Sequence, residues 1–232
     1  PAEQAQVLEL AAAMKADPYG YKPLAGPQTV AIMFDKSSTR TRVSFCVGVA
    51  DLGGNPLVME SSSTQAGRGE PIADTARVLG RMTSAVVWRT YRQADLETMA
   101  EYSGVPVINS LSDDFHPCQI LADWLTIKEH KGDLAGLTVA YVGDGANNMG
   151  QSYVLGAATA GMHIRIGAPD GYQPGANVVA DARIIAAETG GSITLTSDPI
   201  EAVAQADVVI TDTWVSMGQE DEKAQRVALF GD

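Results

Sequence analysis

The 232-residue chain is long enough to bury one large apolar core or two ordinary ones, and its 45% hydrophobic and 19% charged residues exclude a disordered or fibrous protein. Its formal charge of −12 opposes nucleic acid and anionic membranes, both of which demand a cationic surface, and so favours a small-molecule ligand. Any anion bound by such a chain must be held by a local cluster of arginine, lysine or backbone amides.

Short β-branched runs occur at residues 29–34, 85–88, 105–108, 137–142, 163–166, 192–196 and 208–211, and each predicts a strand. Between them lie helical patterns at 72–82, 94–102, 120–130, 149–160, 177–189 and 199–205. This alternation implies an α/β protein with parallel sheets covered by helices on both faces. Gly132-Asp-Leu-Ala-Gly136 separates a helical pattern from a fresh strand, so two domains are expected, 1–131 and 132–232, sharing a cleft. In an open parallel sheet, ligands bind beyond the carboxyl ends of the strands. That rule selects residues 35–42, 89–91, 110–119, 143–148 and 212–219, and the unusual polar clusters fall there.

After the first strand, Ser37-Ser38-Thr39-Arg40-Thr41-Arg42 leads into Val43, Phe45, Val47, Val49 and Leu52, which places hydroxyls and guanidinia at a helix start. Free amides, hydroxyl donors and bidentate arginines together suit a phosphate. The plainer alternative is an N-cap hydroxyl with two solvated arginines. Arg89 follows the apolar Val86-Val87-Trp88 and either caps the sheet edge or reaches into the cleft. His116 precedes Pro117, whose fixed φ suits a first helical turn, so the imidazole stands at a helix start.

Gly143-Asp144-Gly145-Ala146-Asn147-Asn148-Met149-Gly150 follows a strand and opens a helix, which invites a dinucleotide reading with Asp170 as the ribose carboxylate. Asn148 replaces the third glycine of that fingerprint and crowds the backbone approach it needs, but its amide suits an amino-acid ligand. Asp212, at the end of the last strand, is placed either to hold a cationic amine or to cap a turn.

Ser38-Thr39-Arg40-Thr41-Arg42 resembles the carbamoyl phosphate signature of the aspartate and ornithine carbamoyltransferase family, and His116-Pro117-Cys118-Gln119 resembles its second signature. Asp212-Thr213-Trp214-Val215-Ser216-Met217-Gly218 is similar to the loop that marks the ornithine branch. The resemblance runs over nearly the whole chain. It implies that 1–131 binds carbamoyl phosphate through Ser38, Thr39, Arg40, Thr41, Gln65, Arg89, His116, Pro117, Cys118 and Gln119, with Arg40, Arg89 and His116 catalytic. It also implies that 132–232 binds ornithine through Asn148, Asp212, Ser216 and Met217, while Asn147 is structural.

The expected reaction is transfer of the carbamoyl group to the side-chain amine of ornithine, giving citrulline and phosphate in arginine metabolism, with no cofactor and no metal. A homotrimer or an assembly of trimers is implied by the family alone, the loop bearing Gln65 reaching a neighbouring subunit. Relatives carry a His-Cys-Leu-Pro motif and final helices beyond the point where this sequence stops, and Pro1 is not a Met, so both ends are expected to lie outside it.

Cys46 and Cys118 are too few for a disulfide framework and match no metal spacing, which suits a reducing cytoplasm. No apolar run approaches a membrane span, and no signal-peptide pattern is present.

Overall fold

The computed structural model describes residues 1–60, 69–215 and 220–230. The chain forms two compact units, Leu10–Cys118 and Gln119–Asp232 together with Pro1–Glu9. The opening helix α1 (Ala2–Ala16), which no expectation from the sequence covers, buries Leu8. Gln4 Nε2 donates to the Gly156 carbonyl at 3.4 Å, which ties the start of α1 into the later unit.

Among its described residues Leu10–Cys118 holds four parallel strands, β1 (Thr29–Phe34), β2 (Asn55–Glu60), β3 (Ala85–Arg89) and β4 (Val107–Leu111), in the order β2-β1-β3-β4. They are linked by α2 (Arg40–Asp51), α3 (Ile72–Gly80) and α4 (Gln93–Ser103). Strand β1 is an unbroken apolar run because both of its faces are covered. Ala31 and Met33 pack with Ala76, Leu79, Leu96 and Met99 of α3 and α4, whereas Val30, Ile32 and Phe34 pack with Val49 and Phe45 of α2. Ile32 and Met33 are fully buried, so truncating either to Ala removes about 2–5 kcal/mol.

The helices that leave β1 and β3 therefore cover opposite faces, and the carboxyl ends of these two neighbouring strands form the switch point of the sheet. Strand β2 was not expected from the sequence because Pro56 interrupts its run. Among the described residues it pairs with β1 alone, and an edge strand tolerates a missing N–H.

The later unit begins within α5 (Pro117–Lys131). It continues through β5 (Thr138–Val142), α6 (Asn148–Thr159), β6 (His163–Gly167), α7 (Ala176–Thr189), β7 (Ser192–Thr196), α8 (Pro199–Val203), β8 (Val208–Ile210) and α9 (Lys223–Phe230). Its parallel strands run in the order β7-β6-β5-β8, which puts the switch point at β5 and β8. Arg165 donates to the Ala204 carbonyl at the end of α8, and a Cβ on Gly167 would meet Ala202 at 2.8 Å, so α8 covers that face. On the opposite face Tyr141 reaches the Asn147 side chain at the start of α6.

The packed units divide at 118/119, so α5 packs with the later one. Helix α5 sets Ile120 and Trp124 against α6 so closely that a Cβ on Gly156 would lie 2.5 Å from Ile120 Cγ2. That contact binds most of the helix to the later unit. Among the described residues no helix is long and apolar enough to cross a membrane.

Candidate active site

The register of the first sheet sets Phe34 beside Arg89, and the Asp35 amide donates to the Arg89 carbonyl at 2.9 Å. The loop after β1 thus starts against the end of β3. It is fixed there by Trp88 Nε1 donating to Asp35 Oδ2 at 3.1 Å, by a Lys36–Asp113 ion pair, and by Lys36 lying over the Tyr91 ring at 4.7 Å. The pairing of β3 with β4 slips at this level, Trp88 facing Asn109 but Arg89 facing Leu111. Such a bulge re-aims the side chain at a strand end.

Helix α2 begins at Arg40 with Thr39 as N-cap, whose side chain makes no capping hydrogen bond. The plain capping role considered for these hydroxyls is therefore not the one Thr39 plays, and its hydroxyl is not spent on the helix. Ser38 and Thr41 are half-buried, whereas Thr39 and Arg40 are exposed. The two arginines of the cluster part company. Arg42 pairs with Glu60 at 2.9 Å and lies over the Phe34 ring at 5.1 Å, which makes it a bracket between α2 and β2.

Arg40 instead acts electrostatically on Arg89. Arg89 is only 7% exposed, and its pKa is lowered by burial and then by Arg40. Its Nε is buried with no hydrogen-bond partner among the described residues. A buried guanidinium held near a second cation is a site short of negative charge. His116 stands in the same field: burial, and then Arg89, push its pKa down to about 4. The imidazole is neutral at physiological pH and retains a single N–H donor. It is delivered by a turn in which Phe115 N donates to Ser112 Oγ at 3.0 Å and Ser112 N donates to the Phe115 carbonyl at 2.8 Å.

Pro117 opens α5, as its missing N–H suits. The Cys118 thiol donates to the Asn109 carbonyl at 3.3 Å, and burial raises its pKa to about 11, so it packs rather than reacts. Gln119 donates through Nε2 to Asp123 Oδ1 at 2.9 Å.

In the later unit Asn147 caps α6, its Oδ1 accepting from Gly150 N at 2.8 Å, and Asn148 follows half-buried as the first helical residue. The loop they end is held by Asp144, 2% exposed, which accepts from Arg226 Nη1 at 2.5 Å. Burial opposes the charge on Arg226, but Asp144 and Glu222 outweigh it and raise the pKa. Arg226 also donates to the Trp214 carbonyl at 3.3 Å, and Phe230 stacks on Trp214 with ring centroids 6.2 Å apart. Asp212 is exposed just beyond β8, and its charge contributes to raising the pKa values of Tyr141 and Tyr153. Gln65, Ser216 and Met217 lie outside the described residues.

Sequence reasoning passed over Asp123 and Arg226. The first was signalled by its i,i+4 spacing from Gln119. The second had no local signal, since its buried partner is 82 residues away.

Each of the two parallel α/β units has a switch point, and the first carries Arg40 and Arg89 there, where open parallel sheets bind their ligands. Residues 1–129 match the model of the aspartate/ornithine carbamoyltransferase carbamoyl-P binding domain, and residues 135–232 match that of the Asp/Orn binding domain. The chain belongs to the aspartate/ornithine carbamoyltransferase family and is a carbamoyltransferase.

It is 65% identical to the ornithine carbamoyltransferase of Clavibacter sepedonicus over 231 residues, spanning 100% of this chain and 75% of that protein. It is 60% identical to that of Bifidobacterium longum, over 99% of this chain and 73% of the relative. Among solved structures it superposes on the Pyrococcus furiosus ornithine carbamoyltransferase with a TM-score of 0.90 at 44% identity, covering 98% of this chain and 72% of that one. The anabolic enzyme of Campylobacter jejuni gives 0.91 at 40% identity, covering 99% and 75%.

Proposed function

We propose that this carbamoyltransferase uses L-ornithine as its acceptor, producing L-citrulline and phosphate. The observation that carries the donor half is the buried Arg89 set beside Arg40, with a neutral His116 in the same field. The acceptor half rests on Asn148 and Asp212 at the second switch point and on the names of relatives at 60–65% identity.

In this reading Ser38, Thr39, Arg40 and Thr41 hold the phosphate of carbamoyl phosphate, with Gln65 adding a contact. The backbone of Pro117 and Cys118 frames the carbamoyl group, and the Gln119 side-chain oxygen accepts from its NH2. Asp212 holds the ornithine amine, Asn148 the amino-acid end, and Ser216 and Met217 are further ornithine ligands. The neutral amine attacks the carbamoyl carbon, and negative charge grows on the carbonyl oxygen. Arg40, Thr41, Arg89 and His116 donate to that oxygen, where preorganised donors are worth most. As the tetrahedral intermediate collapses, the carbon–oxygen bond to phosphate breaks and the attacking nitrogen's proton ends on the departing phosphate. Orientation of two bound substrates supplies the rest.

Because the amine must be unprotonated, the rate rises with pH toward the pKa of bound ornithine. The family expectations of a trimer, a place in arginine metabolism and a cytoplasmic location go with this reading, the last supported by two free cysteines. The test is citrulline formation from carbamoyl phosphate and ornithine, run beside aspartate and N-acetylornithine. A clear preference for either of these competitors overturns the ornithine assignment.

A further inference from the structure

We propose that Asp123 is a positioning residue that fixes the orientation of the Gln119 amide and thereby makes the site select a ligand bearing N–H over one bearing a methyl group. This rests on the reading of Gln119 as the acceptor for the carbamoyl NH2.

Gln119 and Asp123 lie one turn apart on α5, with Nε2 donating to Oδ1 at 2.9 Å. A carboxylate only accepts, so it can bind the NH2 end of a glutamine and never the oxygen end. An amide otherwise free to flip is thus given one sense, with Oε1 directed away from Asp123 and left to accept from a ligand. On an open helix such an i,i+4 pair is weak, worth a few tenths of a kcal/mol, and sets nothing firmly.

Here the carboxylate is tethered. Its other oxygen, Oδ2, accepts from the Tyr153 hydroxyl at 2.5 Å. Tyr153 is only 4% exposed, and its ring sits between Trp124 and Tyr141, centroids 5.7 and 5.5 Å away. Burial, followed by the bond to Asp123, raises the Tyr153 pKa, so the hydroxyl stays a donor throughout the working pH range. The chain from Tyr153 through Asp123 to Gln119 carries the rigidity of the buried aromatic cluster out to an exposed amide.

The test is titration calorimetry of the 232-residue protein with carbamoyl phosphate, acetyl phosphate and inorganic phosphate. Acetyl phosphate presents a methyl group where carbamoyl phosphate presents NH2. The unaltered protein is expected to prefer carbamoyl phosphate. Gln119→Ala should erase that preference, and Asp123→Ala should reduce it about fivefold, the worth of one ordinary hydrogen bond, with inorganic phosphate affinity unchanged. Asp123→Asn keeps the shape but offers either an oxygen or an NH2 to Gln119, so it should lose part of the preference even if the alanine variant does not fold. Tyr153→Phe, which cuts the tether and keeps the ring, should do the same.

Retention of the full preference by Asp123→Asn and Tyr153→Phe, while Gln119→Ala loses it, overturns the positioning role and leaves the Gln119 reading intact. If Gln119→Ala also keeps the preference, the underlying reading fails and the proposal falls with it. Loss of inorganic phosphate binding in every Asp123 variant also counts against the proposal, since it assigns Asp123 a structural role.

Discussion

Asp144 and Arg226 form an ion pair closed to solvent, the two side chains 2% and 6% exposed and their charged atoms 2.5 Å apart. It joins the loop after β5 to α9 within the later unit, and Arg226 extends it to the Trp214 carbonyl. Removing one partner leaves an uncompensated buried charge. Arg226→Met is therefore expected to destabilise the protein by about 3–5 kcal/mol, and the double change with Asp144→Leu to recover much of that loss. Chemical denaturation of the single and double variants measures both; equal stability of Arg226→Met and the unaltered protein refutes the account.

Arg40→Ala should weaken carbamoyl phosphate binding and turnover together, because in the proposed mechanism one guanidinium serves both the phosphate and the developing oxyanion. The expected loss is about 4 kcal/mol in kcat/KM, the size of an oxyanion donor and part of a charged hydrogen bond. Arg40→Lys should rescue poorly, since a point charge cannot make a two-pronged contact. Steady-state kinetics with carbamoyl phosphate varied gives the answer, and near-normal activity removes Arg40 from the site.

Asp212→Asn should act on the other substrate. Loss of a charged acceptor predicts a fall of about 2 kcal/mol in kcat/KM for ornithine. Carbamoyl phosphate affinity, measured separately by calorimetry, should hardly move. A parallel loss of both would show that Asp212 supports the fold rather than the amine.

His116 gives a pH signature. Its folded pKa of about 4 lies below the ordinary 6.5, so between those values the unfolded chain binds the proton more readily. The stability is fully present above pH 6.5 and is lost as pH falls toward 4, up to about 3 kcal/mol for this group. His116→Gln should flatten that part of the stability curve, read as denaturation midpoints at pH 7 and pH 5. An unchanged slope would mean that the imidazole is not held neutral.

The sequence made the strand-end clusters legible because they break apolar runs with residues that β-strands do not need. Arg89 after Val86-Val87-Trp88 and Asp212 after Val208-Val209-Ile210 are of this kind, and the structure sets both at switch points. What stayed hidden depends on partners remote in sequence. Arg42 reads like Arg40 until Glu60 and Phe34 are seen to occupy it. Strand β2 is obscured by Pro56, which only an edge position permits. The packing of α5 on α6 was also hidden, because it lies in Ile120, Trp124 and the bare backbone of Gly156, and periodicity cannot report where a helix docks.

The arrangement of the second sheet bears on how new acceptor preferences arise in such a protein. With β5 and β8 adjacent, residues 143–148 and 211–215 leave neighbouring strands while remaining far apart in sequence. On the proposed reading, variation in either stretch can alter the shape and charge offered to an amine without touching the strands that carry the loops or Arg40 and Arg89 of the first sheet. Selection can then redraw acceptor choice while donor chemistry is inherited intact, and a library confined to those two stretches is where a laboratory search for new acceptors should begin.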